Sequence, residues 1–339
     1  MDRVKRDVSL KPYNTFGLDV KANLLLEPET TEDLKACLVL ARSENSRSMI
    51  LGSGSNLLFV SDFNGTLIRP CNSTRSIIDE DDRQVRVLAG AGLEMDALIR
   101  WCVDRNLGGL ENLSLIPGTV GAAPVQNIGA YGAEVAETIE AVRVLDLLTG
   151  EEQWMDNRDC QFGYRMSRFK SRDFTNKLVW EVIFSLRKNP VPNLSYQPLQ
   201  EVFKDKENSS VSEVREAVIK IRRSKLPDPS EIGNAGSFFK NPVVPANLAS
   251  GIRLEYPLMP AFPQEDGQVK IPAGWLIEQC GWKGYREGAI GVYPRQALVL
   301  VNYGGATGIE LLNLAERIRE SVLLRFRISL EREVRVIEA

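Results

Sequence analysis

The chain contains no histidine in its 339 residues. That removes imidazole general bases, serine–histidine triads and histidine metal ligands. Acid–base chemistry therefore falls to Ser, Glu, Asp, Lys, Tyr or Cys, or to a bound cofactor. Cysteine is scarce: Cys37, Cys71, Cys102, Cys160 and Cys280 are an odd five, scattered, with no C-x-x-C pair. They read as reduced, mostly buried thiols rather than a disulfide framework, and no metal site is expected. No stretch approaches the roughly 20 apolar residues that a membrane-spanning helix needs, and the N-terminal MDRVKRDVSLKPYNTFG lacks an apolar core of signal-peptide length. A cytoplasmic protein is expected, with no membrane partner. The net charge is only −3, which gives no electrostatic case for a nucleic-acid partner.

What the chain does have is glycine in uncharged loops. Residues 113–134, LSLIPGTVGAAPVQNIGAYGAE, carry Gly118, Gly121, Gly129 and Gly132 and almost no charge. Such a segment makes neither a good helix nor a good strand. Glycine allows close backbone approach and positive φ, and successive free N–H groups cradle anions. The segment reads either as a backbone wall around a phosphate-bearing cofactor or as a buried linker between two layers. A second loop, Gly52-Ser53-Gly54-Ser55-Asn56, leaves a short apolar strand. It is neither GxGxxG opening a helix nor a Walker loop with its lysine, which disfavours a Rossmann or P-loop fold. Two such loops favour one shared cofactor.

The chain is long enough for two or three domains. Apolar spacing predicts a helix over 31–43 capped at Thr31, one over 94–106, and one over 210–224 with a Ser210/Glu213 capping box. A Thr307-capped helix over 308–326 has Ile309, Leu312, Ala315, Ile318 and Val322 on its apolar face. Alternation predicts strands over 84–89 and 178–186, a hairpin over 141–155 and a closing strand over 329–337. Residues 189–200, with three prolines and Tyr196, read as a surface loop. The elements do not alternate as regular βαβ units, so the class is α+β. Lys225-Leu226-Pro227-Asp228-Pro229 marks a boundary.

These pieces together resemble the UDP-N-acetylenolpyruvoylglucosamine reductase family, flavoenzymes of peptidoglycan precursor synthesis. The matching segments run in order: NTFG at 14–17, LGSGSNLL at 51–58, GLENLSLIPGTVGAAPVQNIGAYGAE at 109–134, FGYRMSRFK at 162–170, KLPDP at 225–229, GNAGSFFKNP at 233–242, AGWLIEQCGWKG at 273–284, QALVLVN at 296–302 and LEREVR at 330–335. The resemblance implies two FAD-binding α+β subdomains of the vanillyl-alcohol-oxidase (PCMH) type and a substrate-binding domain. On this chain they fall at 1–72, joined by a returning C-terminal strand at 328–339, at 73–226, and at 227–327, with the FAD-binding region over about 17–188. The insertion bearing Tyr196 is similar to the longer form of the family.

The resemblance further implies FAD as cofactor, NADPH as co-substrate, UDP-N-acetylglucosamine enolpyruvate as substrate, and a monomer. Candidate cofactor residues are Gly52, Ser53, Gly54, Ser55, Asn56, Pro117, Gly118, Gly121, Ala122, Gln126, Asn127, Gly129, Ala130, Tyr131 and Gly132. Arg165 and Glu333 match the positions that stabilise charge on the enolpyruvyl carboxylate, and Ser237 matches the proton donor. An arginine fork suits a carboxylate. Glu333 helps an enolate only when protonated or when it orients a donor. Read alone, Arg165 is more readily a surface ion-pair partner and Glu333 a solvated strand charge. Tyr164, Tyr196, Lys225, Asn241 and Gln296 match substrate positions, Lys225 as a point charge suited to a diphosphate. Phe262 stands where the family often has tyrosine, and Tyr293-Pro294-Arg295 replaces a segment that often carries histidine. The same flavin fold also serves other oxidases, and a UDP-sugar binding protein without flavin is a third class. Neither would need Arg165, Ser237 and Glu333 together.

Overall fold

The strand Lys177–Arg187, with the apolar run LVWEVIFSL, is buried along almost its whole length. A strand covered on both faces has to sit at the centre of a sheet. In the computed structural model, which describes residues 3–264 and 266–338, it does so. The sheet is antiparallel and five-stranded, ordered Glu152–Asp156, Ile139–Asp146, Lys177–Arg187, Gln84–Gly90, Arg75–Glu80. Glu181 breaks the apolar run and is satisfied by Arg143 at 2.6 Å from the neighbouring strand. The fold class is α+β.

The chain divides into two units. The first comprises 1–8, 23–53 and 64–224; the second comprises 9–22, 54–63 and 225–339. The first unit holds the five-stranded sheet and most of a four-stranded one ordered Val4–Ser9, Lys21–Leu26, Phe63–Ile68, Ser48–Ile50. Its helices are α1 (Thr31–Ser43), α2 (Met95–Val103), α3 (Gln197–Phe203) and α4 (Val211–Lys225). Thr30 rather than Thr31 caps α1, because the Asp33 carboxylate reaches back to the Thr30 amide while Thr30 Oγ1 accepts from Asp33. Helix α3 lies where a surface loop was expected. A proline in the first turn is compatible with a helix, and Leu199 and Phe203 bury against Val214 and Val218 of α4.

The second unit has helices α5 (Ala246–Glu255), α6 (Ala273–Gln279) and α7 (Gly308–Phe326). Its main sheet is antiparallel, ordered Gly233–Ser237, Val299–Asn302, Ile290–Val292, Arg286–Glu287. Its core gathers Phe16, Leu18 and Leu58 from early in the chain with Phe238, Leu276, Leu300 and Ile318. Helix α7 buries Leu311, Leu314, Ala315, Ile318, Val322 and Phe326, while Ile309 is 48% exposed. Ala315, Ile318 and Val322 of the expected face are thus buried, Leu312 packs at its edge, and only Ile309 turns away. The contact at Gly308 sets this orientation: a Cβ there would lie 1.8 Å from the Phe59 carbonyl oxygen, so the helix start is pressed on that strand and Ile309 turns outward. The closing strand is shorter than expected. Only Arg335–Ile337 forms a ladder, parallel to Leu57–Phe59, because 331–333 bonds instead to the chain after Ser237. Among the described residues no helix is long and apolar enough to cross a membrane.

Candidate active site

In the first unit, the uncharged segment 114–132 is irregular backbone stitched to its surroundings. The Val120 amide donates to Leu93 O at 2.8 Å and the Gly121 amide to Ala91 O at 2.9 Å. A Cβ on Gly121 would lie 2.5 Å from the Ala91 Cβ, so glycine is needed for this approach. Buried side chains act as struts. Asn127 is fully buried at φ 43°; its Nδ2 donates to Glu134 Oε2 (2.6 Å) and Gly163 O (3.1 Å), and its Oδ1 accepts from the Ala136 amide (3.1 Å). Its side chain thus serves the loop's own shape. At the head of the segment Asp96 accepts from the Leu115 amide and is gripped by Arg215 of α4 through two bonds of 2.6 and 2.8 Å. Burial opposes ionisation of Asp96, but Arg215 and the Leu115 amide outweigh it and hold the carboxyl below the usual range.

The segment fits a phosphate-bearing group. Among the described residues the consecutive amides of Gly118 and Thr119 meet no hydrogen-bond acceptor in the protein, and two adjacent neutral N–H donors are what an anion needs. Gly52 lies against the same turn, where a Cβ would come within 3.3 Å of Thr119 Oγ1 and 3.4 Å of the Ala122 Cβ. The two glycine-bearing loops therefore face each other at Gly52. Pro117, Gln126, Gly129, Ala130, Tyr131 and Gly132 lie on the rest of the segment, with Gly129–Ala130 pairing Ala133–Glu134 as a small hairpin.

Tyr164 and Arg165 form the tip of a tight turn closed by two 3.0 Å bonds between Gly163 and Met166. Arg165 adopts φ 52°, a left-handed conformation that costs a non-glycine residue. Its Nη2 donates to Gly129 O at 2.6 Å, so the turn aims the guanidinium onto the cofactor-wall segment. Tyr196 stands at the N-cap of α3, its ring edge-on to Tyr131 at 5.4 Å. Burial pushes the Tyr131 phenol up, against the opposing pull of the neighbouring Arg222 guanidinium.

In the second unit, Ser237 ends the strand Gly233–Ser237, and the ladder to Val299–Asn302 slips between Asn234 and Ser237. Gly236 at φ 68° makes this irregularity, and buried Asn234 fixes it by accepting the Gly236 amide at 3.0 Å. Such bulges re-aim a side chain. Immediately after it, Phe238 O accepts from the Glu333 amide at 2.8 Å. Asn56 Nδ2 donates to Glu333 O at 3.1 Å, and the Arg335 amide donates to Asn56 O at 3.0 Å. Ser237, Glu333 and Asn56 thus come from three distant stretches onto one backbone junction. Gly54 and Ser55 lead into it; Gly54 has φ 68°, and a Cβ there would lie 2.0 Å from Tyr13 O. Asn241 Oδ1 accepts from the Ala273 amide at 2.9 Å, and Gln296 Oε1 lies 3.0 Å from where a Cβ on Gly274 would stand, so both meet the start of α6. Lys225 is exposed at the end of α4.

Four residues that support these segments from outside were not singled out from the sequence: Asp96, Arg215, Arg222 and Asn112, whose Nδ2 donates to Tyr131 O at 2.8 Å. Asp96 has only the look of a first-turn acid, and the rest have no local signal, because their roles depend on partners far along the chain. Burial pushes the Cys102 and Cys160 thiols up to about 12, which leaves neither as a nucleophile.

The chain is 44% identical over 97% of its length to the UDP-N-acetylenolpyruvoylglucosamine reductase of Pseudomonas fluorescens, covering 98% of that protein. The chain belongs to the UDP-N-acetylenolpyruvoylglucosamine reductase family. The enzyme of that name from Pseudomonas aeruginosa is 45% identical, with 96% of each chain covered. Residues 228–337 match the family described as the C-terminal domain of this reductase, and residues 22–156 match the FAD binding domain family. The crystal structure of the reductase from Thermus caldophilus superposes with a TM-score of 0.71 at 26% identity over 99% of each chain. Members of this family are FAD oxidoreductases, and the segment with the open Gly118 and Thr119 amides lies inside the FAD-binding match.

Proposed function

We propose that the chain reduces UDP-N-acetylglucosamine enolpyruvate to UDP-N-acetylmuramate with NADPH as reductant. The observation that carries the reading is the junction at Phe238, where the Glu333 amide bonds beside the bulge that aims Ser237. A hydroxyl and a carboxyl group are thereby anchored on adjacent backbones in a chain that has no histidine.

FAD, when bound, supplies hydride to the vinyl carbon of the enol ether. The neighbouring carbon must then take a proton, and Ser237 is the donor in this reading. A serine hydroxyl is a weak acid, yet an enolate-like carbon is basic enough to use it within hydrogen-bond reach. Arg165 offers its planar fork to the substrate carboxylate and stabilises charge that develops there. Glu333 acts protonated or by orienting a donor. Gly52, Ser53, Gly54, Ser55 and Asn56 and the segment 117–132 hold the cofactor. Tyr164, Tyr196, Lys225, Asn241 and Gln296 hold the nucleotide sugar, Lys225 at its diphosphate. Residues 1–72 and 73–226 are the two FAD subdomains, and 227–327 the substrate domain.

Purified protein should be yellow, with flavin bands that NADPH bleaches in the absence of oxygen and that the enolpyruvyl nucleotide restores. A colourless protein that takes up no FAD on reconstitution would overturn the reading.

A further inference from the structure

The loop that carries Tyr196 and the segment that carries Tyr131 are tied together by a side chain with no role in the reaction described above. Asn112 is 2% exposed. Its Nδ2 spends both hydrogens at once: one goes to Tyr131 O at 2.8 Å, the other to Asn193 O at 2.8 Å. Asn193 returns the link, its own Nδ2 donating to Gly132 O at 2.8 Å while its Oδ1 accepts from the Ser195 amide at 2.9 Å. The packing is equally close. A Cβ on Gly132 would come within 3.0 Å of Ser195 Oγ and 3.6 Å of the Tyr196 Cβ, and its φ of 83° favours glycine, so the loop lies close against this backbone. The Tyr131 and Tyr196 rings complete the contact edge to face.

From this geometry we infer that Asn112 is a positioning residue that couples the cofactor segment to the Tyr196 loop, so that FAD and the nucleotide sugar each tighten the other's binding. The inference rests on the proposed function, which assigns Tyr131 and Gly132 to FAD and Tyr196 to the nucleotide. A carboxamide that donates to both carbonyls cannot let one segment move without opening a bond to the other. The Asn112 side chain is itself buried, so opening either bond leaves a buried donor unpaired. Whatever fixes the segment 131–132 therefore also fixes the loop at 193–196. Thermodynamic linkage makes the effect reciprocal.

The test is the rate at which the holoenzyme releases FAD, followed by the rise of free-flavin fluorescence without NADPH, so that no turnover occurs. It is measured with and without saturating UDP-N-acetylglucosamine enolpyruvate. In the unaltered protein the nucleotide should slow release by about 5-fold or more, the lower end of ordinary coupling between sites. Asn112→Leu removes both donors at similar volume, and Asn193→Ala removes the return link from an exposed position. In both variants the ratio of the two rates should fall below about 2-fold. A merely structural role for Asn112 would speed release equally with and without nucleotide and leave the ratio unchanged. That result in both variants, or a ratio of one in the unaltered protein, overturns the inference while leaving the proposed function standing. A protein that binds no FAD overturns both.

Discussion

The candidate site residues of the two units are held in different ways. In the first unit the segment proposed to hold the cofactor has little regular structure, and it is shaped by side chains, Asn127 and Asn112 from buried positions and Asp96 from a half-buried one. In the second unit Ser237 and Glu333 are held mainly by backbone bonds between neighbouring stretches, with glycine at the irregular position and the Asn234 and Asn56 side chains as the supports. A backbone-held residue can lose its side chain and keep its place. A strut-held segment loses its shape when a side chain outside the site is changed. The first unit should thus be the more sensitive at a distance, and the second most sensitive at the groups proposed to react.

The largest effect expected is in the second unit. Ser237→Ala should slow reoxidation of reduced flavin by the enolpyruvyl nucleotide by about 10²–10⁴-fold, the usual worth of a proton donor. Flavin reduction by NADPH and the melting temperature should stay close to those of the parent protein. Stopped-flow absorbance separates the two half-reactions, and equal loss in both would give Ser237 a binding or structural role. Next comes a strut. Asp96→Asn leaves the Arg215 charge without its partner at a site where both side chains are largely shielded, 20% and 12% exposed. Breaking such a pair costs about 3 kcal/mol, and FAD release should quicken although Asp96 does not touch the proposed cofactor site. The pH dependence has a definite sign. The Asp96 carboxyl is held below the usual range in the folded protein. Its contribution is therefore complete above the unfolded value, about pH 4, and fades as pH falls through the folded one. The gap in melting temperature between parent and Asp96→Asn should narrow on acidification to that range; a constant gap would show that the charge is not what matters. The smallest effect is a control. Thr307→Ala removes the side-chain half of the capping box of α7, the Oγ1 that accepts from the Glu310 amide at 3.4 Å. It should cost about 1 kcal/mol in thermal or urea denaturation and leave FAD release unchanged.

The same contrast explains what the sequence revealed. The glycine-rich segments, the Ser210 and Thr307 capping boxes and the existence of the strand over 178–186 were legible, because each is written in neighbouring residues; the strand was expected to alternate, and its burial on both faces was not. Ser237 and Glu333 carried no signal of their own and were readable only through the family's motifs. The outward turn of Ile309 on α7 was not legible, since Ile309 and Leu312 make as good a stripe as Leu311 and Leu314 until Gly308 meets Phe59. Helix α3 was masked by its prolines, and the burial of Leu199 and Phe203 on α4 overrode them. Asn112 was invisible for a simpler reason: its partners, Tyr131 and Asn193, lie in different stretches, and no local pattern announces a side chain that bonds to both.

The second unit draws its core from Phe16, Leu18 and Leu58 as well as from residues beyond 225. During synthesis those early segments emerge long before the strands that will cover them. They must wait, apolar and uncovered, while the whole of the first unit is made. A fragment starting at Lys225 would lack them and the strand Leu57–Phe59 that Arg335–Ile337 needs. The residues proposed for proton transfer can thus be ordered only once both the early segments and the C-terminal stretch are present.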